Sequence, residues 1–67
     1  MSVARVTEII AGSSVSFDDA IKQGVARANQ TLRNVKSVWV QDQTASVANG
    51  EIAEYRVALK VTFILDD

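Results

Sequence analysis

The dipeptide Asn49-Gly50, set between two runs of alternating apolar and polar residues, constrains this chain more than any other feature. It is the strongest short-range signal for a two-residue type I′ hairpin turn, because both central positions of that turn require positive φ. So tight a connection also sets the register of the strands it joins. Pairing Ala48 with Glu51 places Val40 opposite Leu59 and Val38 opposite Val61 on one face. The same register puts Trp39 opposite Lys60, Gln43 opposite Arg56 and Ser37 opposite Thr62 on the other face, and leaves Asp42 on the apolar side opposite Val57. One face is therefore oily, and the other shows an indole among polar groups, a composition suited to meeting a partner.

The last strand, Ile52 to Leu65, alternates almost without error. Tyr55, Val57, Leu59, Val61, Phe63 and Leu65 point one way, and Arg56, Ala58, Lys60 and Thr62 the other. Upstream, Phe17, Ala20, Ile21, Gly24, Val25, Ala28 and Leu32 recur at helical spacing. Ser16 is placed to cap this helix, Asp19 stands at the partner position of a capping box, and Asp18 and Asp19 set negative charge against the positive end of the dipole. The pattern predicts a helix over residues 17–34, ending at Asn34. Gly24 in its middle costs roughly 1 kcal/mol relative to Ala, so it is expected to mark a close approach to a sheet. A first strand over Val3 to Ala11 stops at Gly12-Ser13-Ser14. Val6 and Ile10 lie on one of its sides, Val3 and Ile9 on the other, and periodicity does not choose between them.

Strand, helix, strand and strand make an α+β fold, a βαββ unit in one domain over residues 1–67. The crossover places the first strand antiparallel beside the third, giving a three-stranded antiparallel sheet of order 2-3-1 wrapped around one helix. Lengths then speak to assembly. A helix over 17–34 spans about 27 Å, whereas a strand over 52–65 spans about 46 Å. The helix is too short to cover the inner face, so Tyr55 and the hairpin tip are expected to meet another subunit or to stay exposed as an apolar patch, and a closed symmetric oligomer resolves this.

Composition points the same way. A chain of 67 residues buries only about 60% of the surface its unfolded form exposes. It has no cysteine and no histidine to supply a disulfide, a zinc site or the usual nucleophile and base. Self-association is the remaining means of stabilisation, and no enzymatic turnover is expected. With 7 Lys and Arg against 8 Asp and Glu, the net charge of −1 provides no basic field for nucleic acid. No apolar run approaches the ~20 residues that cross a bilayer, and Met1-Ser2-Val3-Ala4-Arg5 lacks the apolar core of a signal peptide, so a cytoplasmic location is expected.

The segment Arg5-Val6-Thr7-Glu8-Ile9-Ile10-Ala11-Gly12-Ser13-Ser14 resembles the dodecin family, as do Ser16-Phe17-Asp18-Asp19-Ala20, Ala26-Arg27-Ala28 and Tyr55-Arg56-Val57-Ala58-Leu59-Lys60-Val61-Thr62-Phe63. The similarity runs over nearly the whole chain without a gap. It implies a hollow homododecamer holding flavins, riboflavin or FMN, between subunits, as a non-catalytic store, buffer or photoprotectant. It further implies that Ser37 stands where the family places its stacking tryptophan, that Arg56 replaces a ring-bonding glutamine, and that Asp42 matches an acidic residue near the ribityl chain. Trp39, two residues beyond Ser37, shares its face of the strand and is the candidate replacement for stacking. Beside the flavin reading stand two others: an assembly that has lost flavin and binds another small ligand or a cation such as calcium, and a purely structural shell. Trp39 also suits an interface aromatic, and Arg56 a salt bridge to Glu54 or Asp42.

Overall fold

The computed structural model describes residues 2–65. It contains β1 (Ala4–Ser13), α1 (Phe17–Thr31), β2 (Val35–Ala48) and β3 (Glu51–Ile64). The strands form one antiparallel sheet in the order β1-β3-β2, with the helix against one face. The βαββ topology and the strand order are those expected from the sequence.

At the turn, Asn49 and Gly50 have φ of 55° and 78°, as the tight connection demands. Ala48 pairs with Glu51, and Ser37, Val38, Trp39 and Val40 pair with Thr62, Val61, Lys60 and Leu59. Between these two stretches the register departs from the simple hairpin. Ala53 is an extra residue in β3 and Gln41 an extra residue in β2, so Asp42 faces Ala58, Gln43 faces Val57 and Thr44 faces Arg56. Two β-bulges, one on each strand, cancel. The expected pairings of Asp42 with Val57 and of Gln43 with Arg56 are thereby corrected: Asp42 belongs to the face away from the helix, and Gln43 to the helix side.

Ser16 caps α1, its Oγ accepting from the Asp19 N–H at 3.0 Å. The Asp19 carboxylate reaches away from the expected capping box to accept from Ser13 Oγ at 2.6 Å and Gln23 Nε2 at 2.5 Å. These hydrogen bonds, Ser13's first, hold its carboxyl below the ordinary aspartate value of 3.8, with Lys22 adding its charge. The helix ends at Thr31, with Leu32 as C-cap, earlier than expected. Asn34 is drawn off instead by β3: it adopts φ 60°, and its carbonyl accepts from the Ile64 N–H at 3.1 Å, starting β2.

The core consists of Ala20 and Ala28 from α1 and Val57, Leu59 and Val61 from β3, all buried. Each of the three β3 side chains contributes on the order of 1.5–3 kcal/mol through burial. Small helix residues let the helix sit low on the sheet. A Cβ at Gly24 would lie 2.8 Å from Leu59 Cδ1 and 3.1 Å from Ala11 Cβ, which accounts for the mid-helix glycine. The inner side of β1 is the one that carries Ile9 and Ala11, packed on the core opposite Leu59 and Val57. Val6 and Ile10 are left on the outer face, 52% and 73% exposed.

Coverage of the hairpin extends one step further than expected. Phe17 meets Tyr55 edge-on at 5.0 Å and 79°, so the chain's own helix start half-buries that ring. The uncovered region begins beyond it, at the cross-strand pair Val47 and Ile52, 68% and 52% exposed.

Candidate functional site

Among the described residues no element packs on the face of the sheet turned away from α1, and its side chains form transverse rungs. Val6, Thr62 and Ser37 make one rung, Glu8, Lys60 and Trp39 the next, then Ile10, Ala58 and Asp42, and then Gly12, Arg56 and Thr44. All four residues singled out from the sequence, Ser37, Trp39, Asp42 and Arg56, therefore stand on one face. Asp42 arrives there only through the bulge at Gln41.

Trp39 is 63% exposed, its ring standing free of the core. Lys60 Nζ lies 5.2 Å from the ring centroid, a cation–π distance, and 3.6 Å from Glu8 Oε1. Each of these solvated contacts contributes a fraction of a kcal/mol up to about 1. Arg56 pairs with Glu54, donating from Nη2 at 2.5 Å and Nε at 3.0 Å to one carboxylate oxygen. Gly12 leaves space for that carboxylate, since a Cβ there would come within 2.8 Å of Glu54 Oε2.

Two depressions flank β1. The smaller, about 410 Å³, lies on the outer face over Ala58 and is lined by Glu8, Ile9, Ile10, Gln41, Ala58 and Leu59. The larger, about 620 Å³, opens between α1 and β1 and is lined by Ile9, Gly24, Arg27, Ala28 and Leu32 among others. Volume does not choose between them. The indole and the charged groups gather on the outer face, and the larger cleft touches none of the four candidates. Lys60 and Gln41 were not singled out from the sequence. The hairpin register already pairs Lys60 with Trp39, but nothing in the sequence marks a bulge at Gln41.

Among the described residues, no group of three or more His, Cys, Asp or Glu is placed to hold a metal ion, and no helix is long and apolar enough to cross a membrane. The family model for dodecin matches residues 3–66. The chain belongs to the dodecin family. The dodecin of Thermus thermophilus is 29% identical over 65 residues, covering 97% of this chain and 94% of the relative. The calcium dodecin of Mycobacterium tuberculosis is 32% identical over 63 residues, covering 94% of this chain and 89% of the relative. Its solved structure superposes with a TM-score of 0.84 over 97% of this chain and 93% of that one. The dodecin of Streptomyces coelicolor, 33% identical, superposes with a TM-score of 0.95, covering 98% of this chain and 94% of that one. Dodecins in general are small, non-catalytic binding proteins that take up flavins and form dodecamers.

Proposed function

We propose that this dodecin is a non-catalytic flavin-binding protein that holds riboflavin or FMN between subunits of a hollow homododecamer, for storage, buffering or photoprotection. The observation that carries the reading is the 63% exposure of Trp39 on an uncovered sheet face. A bare indole offers a stacked isoalloxazine dispersion and π-overlap, and with Val6 and Ile10 exposed on the same face it belongs to an apolar patch of the kind that marks a ligand or subunit contact. Ser37, small and one rung away, leaves the family's usual stacking position empty of aromatic bulk. The ring plane is then displaced along the strand by nearly 7 Å, two residues' rise. Asp42, on the rung beside Trp39, is placed to accept from ribityl hydroxyls. Arg56 keeps donors beyond those given to Glu54, and these suit flavin carbonyls or the FMN phosphate. Stacking on an indole quenches the excited flavin, which is the chemistry of protection from light.

Absorption and fluorescence titrations with riboflavin and FMN, run on the native chain and on Trp39→Ala, test the reading. Native protein should quench flavin emission, and the variant should bind about tenfold more weakly, the loss of roughly 1–3 kcal/mol typical of an aromatic stacking partner. Unquenched emission with the native chain removes the proposal.

A calcium site is the second reading, favoured by the Mycobacterium tuberculosis relative, whose name is calcium dodecin. Glu8, Asp42 and Glu54 lie on the outer face, and carboxylates from adjoining subunits would supply the six to eight oxygen ligands such an ion takes. Calorimetric titration with calcium should then give heat with the native chain and none with Asp42→Asn. A clean dodecamer silent to both flavin and calcium would leave the structural shell.

A further inference from the structure

We propose that Gln41 is the hydrogen-bonding residue of this site and reads the imide edge of a planar heteroaromatic ligand lying over Ala58; this rests on the flavin reading above. Gln41 is the extra residue of the β2 bulge, and it lines the outer-face depression together with Ile10, Glu8 and Ala58. Strand alternation from Trp39 already sets Gln41 on the outer face, after the inward Val40, and the bulge turns Asp42 to that face beside it. Gln41 and Asp42 therefore both stand opposite Ala58, the two-against-one arrangement that bulges supply beside binding sites.

The surroundings favour a flat ring. Ala58 is the smallest outward side chain of β3, set between Lys60 and Arg56, so it makes a low floor between two tall neighbours. Ile10, 73% exposed, is an apolar wall on the β1 side. Trp39 stands on the adjoining rung, and the depression of about 410 Å³ lies within the range of small-molecule sites, roughly 300–1,000 Å³. Among the polar groups lining it, Glu8 is engaged by Lys60 at 3.6 Å. Gln41 is the neutral one. A primary amide presents an acceptor and a donor side by side, the complement of the adjacent N–H and C=O of an imide. Over an apolar floor, such a two-point pair discriminates strongly against rings that lack the edge.

The test compares riboflavin with phenazine, a three-ring aromatic that stacks but has no imide, on the assembled native chain, Gln41→Ala, Gln41→Glu and Trp39→Ala. Circular dichroism and sedimentation establish that each variant is folded and assembled. Both Gln41 variants should lose riboflavin affinity by about tenfold and keep phenazine affinity, whereas Trp39→Ala should weaken both ligands. Riboflavin binding unchanged in Gln41→Ala overturns the role of Gln41 and leaves the stacking site standing. Equal loss of both ligands in Gln41→Ala overturns it too, by reducing Gln41 to a scaffold residue. A native chain that binds neither ligand defeats the flavin reading and this inference together.

Discussion

At Asp19 one carboxylate ties the end of β1 to the start of α1. Ser13, only 5% exposed, donates its hydroxyl to that carboxylate and accepts from the Val15 N–H at 2.9 Å. Because the folded state lowers the Asp19 pKa, chiefly through Ser13 and then Gln23, the linkage has a definite sign. Its contribution is fully present above the unfolded value near 3.8 and is lost as pH falls through the lower folded value. Asp19→Asn should therefore start less stable at neutral pH and lose less on acidification below roughly pH 5, read as urea midpoints at several pH values. Midpoints that fall in parallel for both proteins would show that Asp19 does not contribute to the acid limb. From the sequence this residue was legible as a helix-start acid, but its partner was not. Ser13 lies outside the helix, and only the bend at Ser14 and Val15 brings the two together.

At the scale of elements, the helix and the hairpin were readable for different reasons. Helical spacing and the Ser16 cap located α1 to within its last turn; the end was misjudged because Asn34 answers to Ile64, a partner 30 residues away. The hairpin register was right at the turn and again at Ser37 to Val40, and shifted by one in between. Gln41, Asp42, Gln43 and Thr44 are all polar, so no oily residue lands on the wrong side to reveal the slip. For β1, two half-apolar faces left the choice open until Gly24 and the core selected Ile9 and Ala11. Gly24 offers an element-level test. Alanine there gains roughly 1 kcal/mol of helix propensity but drives a methyl against Ala11 and Leu59, an overpacking that costs about 1–3 kcal/mol. Gly24→Ala should be net destabilised by about 1 kcal/mol in denaturant titration. A variant more stable than the native chain would show that helix and sheet can separate without penalty.

The whole molecule is long for its size. Its radius of gyration is 13.7 Å and its extents are 51 × 19 × 13 Å, against about 11 Å expected for a compact domain of this length. The excess is the hairpin tip, which carries Val47 and Ile52 past the helix, while Val6, Ile10 and Trp39 stay open on the other face. Exposed apolar groups on both sides of one sheet are what association would cover. The native chain should sediment as a particle of about twelve times the 7.3 kDa chain mass, and the double variant Val47→Asp, Ile52→Asp should sediment as a smaller species. An unchanged particle from the double variant would exclude the tip from the assembly contacts, and a native monomer would exclude the dodecamer.

Alternation along β2 and β3 has a consequence for how such a protein can diversify. Val38, Val40, Val57, Leu59 and Val61 look toward the helix, while Ser37, Trp39, Asp42 and Arg56 on the same two ribbons look outward. Inheritance of foldability and invention of new specificity thus occupy alternating places, shifted once at the Gln41 bulge, of a shared stretch of gene. A library randomised only at the outward set would sample new cargo chemistries while every member kept the same interior.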